Sequence, residues 1–565
     1  MDQFTYACIR MMISQTGSGS FFQNELSSIL SQKLRSGGKW RFRRFPRVKK
    51  ISSSGSEIRD WLCPSPVTAF AETQILSWIA SSEAYVNHQA TFSYLWPRLS
   101  EPASFQYYFP HYRKRDRSIH AALLNYPDCV AVVLDVQRYY PSCKKELVLA
   151  ATNRALKSGM TNEQFLAAIS FAESLLENSP EGIPIGPAFG HFLGNVFLHE
   201  FDEEMGFQFP DRYFRYVDDI VVVCNKNEVS KAIEIVTNNL GKLQLSLNPE
   251  KIDIVEISEW HAWVQFSKDK EREVSFEDCI LAIAFASIPF PEKIQRLSNE
   301  LEALGFLLPI KKIRSLSSNP RFHWFGYFRI INDFLRNARR SKLTQIIKFG
   351  ILPTLLKVRD DLFSEVADIE KYLSQKRRPT QKRWGIQRLK YAISRLMYLV
   401  PISEYRGLLK IVSPFEEVFE IQILLRAIIS NNYESITNFP GRLQSAYSEL
   451  QGARKIDTPI ARVDDKTTEA QLESLASLVL GGTIKVEFCN EAEKDEKGFP
   501  LRLCAAAGPL KPPENNFSDS YWREIEWLFQ TASRESFKEI FESRWSYDEK
   551  PQLDCAALGV MGYYL

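Results

Sequence analysis

No two of the nine cysteines form a CxxC pair, and none has a histidine at zinc-ligand spacing, so a Cys/His zinc module has no support. A disulfide framework is equally out of place in a 565-residue chain without a secretion signal, and a reducing compartment is expected. No stretch approaches the ~18 continuous apolar residues of a membrane span. The opening MDQFTYACIRMMIS holds Asp2 and no long apolar run, unlike a signal peptide. A soluble, cytoplasmic protein with no membrane partner is the expectation. Charge of one sign is also missing. The 71 Lys and Arg against 68 Asp and Glu leave +3, so the overall balance names no partner. No fixed-period repeat is present, and a regular solenoid is not expected.

What is present is ordinary for a folded protein: 45% hydrophobic and 25% charged residues. The length exceeds one hydrophobic core and implies roughly two to four domains. Residues 1–20 suggest a helix ending near Gly17 and Gly19. Nine Lys and Arg without an acid lie between Lys33 and Lys50, interleaved with Trp40, Phe42 and Phe45. That mixture suits a phosphate backbone and stacked bases, or else a solvated loop. Residues 51–60 (ISSSGSEIRD) resemble a linker. From 66 to 260 helical stretches alternate with short β-branched runs, as in an α/β or α+β domain. Past 331 the texture is helical, through 339–375, 381–400 and 415–432, and again at 519–546. The division expected is a basic extension (1–60), a mixed α and β region (61–330), a basic helical domain (331–450) and a mostly helical C-terminal domain (451–565).

Three segments carry chemistry. Residues 132–142 read VVLDVQRYYPS, a buried strand delivering Asp135 at its end, followed by Tyr139 and Tyr140. Residues 215–223 read RYVDDIVVV, which places Asp218 and Asp219 at the tight turn of a β-hairpin. Adjacent carboxylates repel each other, and a divalent cation shared with a third carboxylate removes that cost. Residues 182–187 read GIPIGP and open an amphipathic helix expected over 187–205. Its glycines would let backbone approach a ligand, and a helix N-terminus favours an anionic partner.

Their order and spacing resemble the palm of the reverse transcriptase family. LDVQRYYPS matches the family's first motif, GIPIGPAFGHFLGNVFL the second, YVDD the third, and Leu245–Lys251 (LSLNPEK) the LxLNxxK segment. The resemblance implies an α+β right-hand fold, with fingers and a ferredoxin-like palm sheet, before a mostly helical C-terminal region. It implies a DNA polymerase using dNTPs and two Mg²⁺ ions, with Mn²⁺ as an alternative, held by Asp135, Asp218 and Asp219. Asp135 and Asp218 would bridge the ions and Asp219 would rank second. Tyr140 would lie beneath the sugar and exclude a 2′-hydroxyl. Lys251 would approach the leaving pyrophosphate. Of HYRKRDRSIH, Arg113, Lys114, Arg115 and Arg117 occupy the place where fingers grip the triphosphate, a task suited to a forked guanidinium. Pro184, Gly186 and Tyr216 complete the expected substrate contacts.

Where most retroelement enzymes carry Pro-Gln-Gly, this chain has Pro184-Ile185-Gly186, with Pro187 and Gly190 at positions where serines are usual. That departure, with YYPS and a helical second half, resembles bacterial abortive-infection and defence-associated (antiphage) reverse transcriptases, some of which make DNA without a conventional template, primed from protein. No integrase, protease, RNase H or Cys/His-rich endonuclease signal is present. The alternatives are a conventional RNA-templated enzyme of a retroelement and a non-catalytic nucleic-acid-binding scaffold. Partners implied are dNTPs, a DNA product, and an RNA template or structural non-coding RNA; a homo-oligomer is left open. Residues 371–395 hold nine basic side chains and no acid, preceded by Arg336, Arg339, Arg340, Lys342 and Lys348, and would line a channel for nucleic acid. Trp324–Tyr327 would form a primer-grip turn, and Tyr563 or Tyr564 would accept a first nucleotide.

Overall fold

Six apolar residues followed by an acid, CVAVVLD, form the central strand β3 (Cys129–Asp135) of a four-stranded antiparallel sheet. Its neighbours are β4 (Tyr213–Tyr216), β5 (Asp219–Asn225) and β6 (Asp253–Val255), in the order β4-β5-β3-β6. The computed structural model describes residues 40–52, 55–82, 84–96, 105–106, 108–269, 276, 279–280, 283, 294–307, 351–439, 443–451, 458–464, 466–480, 482–489 and 521. The helix expected over 1–20, the start of the basic run at 33–39, Trp324–Tyr327, the basic residues between Arg336 and Lys348, all but Tyr521 of the helix expected over 519–546, and Tyr563 and Tyr564 lie outside them.

The described chain falls into two compact units, one built on Asp60–Gln265 and the other on described residues that follow Phe266. In the first, side chains alternate across the sheet with a period of two. Val130, Val132 and Leu134 of β3, with Ile220, Val222 and Cys224 of β5, face the main core. Helices α1 (Pro66–Ser82), α4 (Lys145–Leu156), α5 (Asn162–Glu177), α6 (Ala188–Phe197), α7 (His199–Gln208) and α8 (Val229–Lys242) contribute to that core. Burial of each such Val, Leu or Ile stabilises the fold by roughly 1.5–3 kcal/mol. The opposite face carries Asp135 and Asp219 and packs against α2 (Tyr108–Asn125). A four-residue helix α3 (Tyr139–Ser142) follows β3, and α9 (Ile257–Asp269) follows β6.

Two expectations change here. The single helix over 187–205 is two helices, because Leu198 leaves helical geometry at ψ 4°. The first of them is buried all round rather than amphipathic. Of the linker expected over 51–60, residues 51–52 and 55–60 are instead strand, with β1 (Phe42–Ser52) pairing with β2 (Gly55–Pro64). Ser52 and Gly55 end one strand and open the next, and ladder bonding takes up the described residues on either side.

The second unit is helical, with α10 (Ile294–Glu302), α11 (Leu352–Leu373), α12 (Pro379–Leu399), α13 (Tyr405–Val412), α14 (Phe419–Ser430), α15 (Leu443–Gln451) and α16 (Glu469–Leu480). A small parallel pair, β7 (Ile460–Val463) and β8 (Lys485–Phe488), flanks α16 and was not expected from the sequence. No helix among the described residues is long and apolar enough to cross a membrane.

Candidate active site

β3 and β5 pair in full register from Cys129↔Asn225 to Asp135↔Asp219, which sets two aspartates directly opposite each other. Like charges so placed destabilise a sheet. Asp218 adds a third carboxylate from the two-residue turn between Tyr216 and Asp219, and its carbonyl accepts from Val136 N at 3.2 Å. Burial first, then the neighbouring Asp219 and Asp135, push the Asp218 carboxyl up to about 7. Leu247 bridges Val136, Asn248 N donates to Asp135 O at 2.8 Å, and the Asn248 side chain caps the turn at 249–251. The LNPEK turn thereby brings Lys251 Nζ to 2.7 Å from Asp135 Oδ1.

Across the same face, α2 buries Arg115. Its Nη2 donates to Asp116 Oδ1 at 3.0 Å, and its Nη1 lies 3.9 Å from Asp219 Oδ2. That Nη1 is buried and has no hydrogen-bond partner among the described residues. The guanidinium sits 4.1 Å over the Tyr112 ring and 5.7 Å from the Tyr216 ring. Burial opposes its charge, yet Tyr112, Asp116 and Asp219 outweigh burial and hold the guanidinium protonated. Arg113 and Arg117, four residues apart, share the other face of the helix, half-buried and exposed respectively. Asp135, Asp218, Asp219, Lys251, Arg115 and Tyr216 are thus brought together.

Three crowded carboxylates are the oxygen donors that hard divalent ions take, so the donor set fits Mg²⁺ or Mn²⁺. Among the described residues no three His, Cys, Asp or Glu side chains already surround a common point. Asp135 is turned to Lys251, and Asp219 has Arg115 beside it.

The family model for reverse transcriptase (RNA-dependent DNA polymerase) matches residues 88–327. That segment, less than half of the chain, is similar to the reverse transcriptase family. No curated protein matches the chain. A solved structure of apo telomerase from Candida tropicalis, truncated from its C-terminal domain, is similar at 12% identity and a TM-score of 0.28, covering 41% of this chain and 54% of that one. The chain therefore spans about half the length of the solved structure it matches.

The acidic turn between β4 and β5 is held from beneath by residues that sequence reasoning missed. Val217 adopts φ 55°, a region a β-branched residue rarely occupies. Its N–H donates to Ser93 Oγ at 3.0 Å, and its carbonyl accepts from Arg215 Nη1 at 3.0 Å. Arg215 is wholly buried and grips Asp202 through two bonds, Nε–Oδ1 at 2.7 Å and Nη2–Oδ2 at 2.5 Å. Tyr213 Oη and Thr91 Oγ1 also donate to Asp202, and Arg215 Nη1 reaches Asn195 Oδ1 at 3.3 Å. These partners lie 2 to 124 residues away in sequence, and no spacing rule signals them.

The glycine loop packs closely on protein. Gly182, at φ 49°, lies where a Cβ would meet Tyr140 O at 2.2 Å; at Gly186, φ 125°, one would meet Leu62 O at 2.4 Å. Leu62 N donates to Ile185 O at 2.8 Å, and Pro184 and Gly186 are both buried. The N-terminus of α6 also has an internal anion. Phe189 N donates to the buried Glu72 carboxylate of α1 at 2.8 Å. At Gly190 a Cβ would meet Pro184 O at 2.7 Å, so the close packing there leaves no room for a side chain.

Tyr140 is buried, its hydroxyl 2.8 Å from His191 Nδ1. In the second unit, several of the nine basic side chains over 371–395 bind protein. Arg388 meets Glu365 at 3.5 Å, Lys382 pairs with Glu417, and Arg395 is buried with Nη1 2.7 Å from Ser394 Oγ. Lys371, Lys376 and Lys382 are exposed, so the continuous nucleic-acid face expected there is reduced.

Proposed function

We propose that the chain is a DNA polymerase of the reverse transcriptase type that adds deoxynucleotides to a 3′-hydroxyl by a two-metal reaction. The observation that carries this is the register of Asp135 against Asp219 with Asp218 in the adjoining turn. Bound Mg²⁺ or Mn²⁺ would make the 3′-oxygen nucleophilic and stabilise the leaving pyrophosphate. Asp135, Asp218 and Asp219 would hold the ions, which relieves the repulsion among the three carboxylates. Lys251 would exchange Asp135 for the leaving pyrophosphate. Arg115, with one buried N–H unbonded, would reach a triphosphate oxygen. Tyr140 would lie beneath the sugar.

The departures at Ile185, Pro187 and Gly190 support a defence-associated, antiphage role, with untemplated or protein-primed synthesis. Incorporation of labelled dNTPs by purified protein, with and without an RNA template, tests the reading. Asp218→Asn is expected to abolish synthesis and phage protection together. Synthesis that survives in the variant sinks the catalytic assignment. Protection without synthesis supports the scaffold, and faithful copying of supplied RNA supports a conventional retroelement enzyme.

A further inference from the structure

We infer that His191 is a positioning residue for sugar discrimination, one that locks the Tyr140 ring in the place from which it excludes a ribonucleotide. The inference rests on the reading of Tyr140 given under Proposed function. The ring is held from two sides. At its far end, the hydroxyl and His191 Nδ1 are 2.8 Å apart. At its flank, Gly194 presses so close that a Cβ would stand 2.8 Å from Tyr140 Cε1, and the Gly194 carbonyl accepts the Tyr139 hydroxyl at 2.6 Å.

The imidazole is itself immobilised. Tyr94 stacks on it with ring centroids 4.0 Å apart and planes 10° apart. Tyr94 holds left-handed backbone, φ 49°, and packs edge-on against Phe105 at 5.4 Å. His191 is 7% exposed and sits on α6, the buried helix that Glu72 caps. A phenol held by packing alone can tilt when a 2′-hydroxyl pushes on it. One tied at its hydroxyl to an immobilised imidazole must break that bond first. The bond's worth, about 1 kcal/mol net, sets the expected effect at roughly five- to ten-fold in selectivity.

A histidine that merely fills the core would affect both classes of nucleotide alike, so the readout is the ratio of kcat/KM for dNTPs over NTPs. His191→Phe keeps a ring to stack on Tyr94 but lacks the nitrogen. It is expected to lower the ratio roughly five- to ten-fold, mainly through a lower KM for NTPs. Tyr140→Phe removes the same bond from the other side and should give the same ratio, with no further loss in the double variant. His191→Asn, whose side-chain oxygen can stand in for Nδ1, should recover part of it. Thermal midpoints identify any variant that fails to fold, and Tyr140→Phe then carries the test. If His191→Phe and Tyr140→Phe leave the ratio unchanged while Tyr140→Ala lowers it, His191 does not act through Tyr140 and the inference is overturned. If Tyr140→Ala also leaves the ratio unchanged, the placement of Tyr140 beneath the sugar fails, and the inference falls with it.

Discussion

Replacing Asp202 by asparagine removes the carboxylate that pairs, among the described residues, with a guanidinium that has no exposure to water. The amide keeps the shape of the carboxylate but turns an NH₂ toward donors, where Asp202 accepts from Thr91, Tyr213 and both forks of Arg215. Breaking a buried charge pair from one side costs about 3–5 kcal/mol. At about 2–4 °C per kcal/mol for a unit of some 200 residues, the melting midpoint should fall by roughly 6–20 °C. Asp202→Leu combined with Arg215→Met leaves no unpaired charge, and most of that stability should return. The double variant still lacks the donor to the Val217 carbonyl, so the acidic turn is less firmly placed. Calorimetry and initial rates of dNTP incorporation separate the two effects. The expected result is a midpoint near wild type with at least about a ten-fold loss in rate. A double variant that melts and polymerises like wild type would show that the turn needs no support from Arg215. An unchanged midpoint in Asp202→Asn would show that the pair itself is energetically idle.

Three further outcomes are expected. Asp218 holds its proton more tightly in the fold than in the unfolded chain, its pKa standing at about 7 against an ordinary 3.8, so stability from this group falls as pH rises from about 4 to 7. In chelator, Asp218→Asn should therefore be more stable than wild type at pH 8, by up to about 4 kcal/mol, and no more stable at pH 4; equal denaturation curves at both pH values refute the crowding. Gly194→Ala would place a methyl 2.8 Å from Tyr140 Cε1 and should destabilise the domain by about 1–3 kcal/mol while lowering the dNTP/NTP ratio, read by urea denaturation and competition assays. Glu72→Gln removes the anion at the α6 N-terminus and should lower stability by about 0.5–2 kcal/mol, seen as a lower urea midpoint.

The acidic hairpin and the strand before it were legible because their evidence is local. Ala131–Asp135 and Ile220–Val223 are short, apolar runs rich in β-branched residues, and both lie in strands. The palm sheet followed from motif order. What stayed hidden depends on partners distant in sequence: Glu72 meets Phe189 across 117 residues, and Tyr140 meets His191 across 51. The basic stretch at 371–395 resembles a nucleic-acid face in sequence because Glu365 and Glu417, which pair with Arg388 and Lys382, lie outside it. The break at Leu198 leaves no Pro or Gly signal, and β7, exposed at alternate residues and four residues long, is too short to show a period.

The two-residue turn between β4 and β5 also constrains how this gene can drift. One residue inserted at Val217 or Asp218 would shift the strand that follows by a single step, exchanging Ile220, Val222 and Cys224 for their neighbours on the opposite face. The same slip that puts a valine where an aspartate belongs would also push a charge into oil. Indels in that turn should therefore be lost from a mutational library at the level of folded protein, before any test of polymerisation is reached.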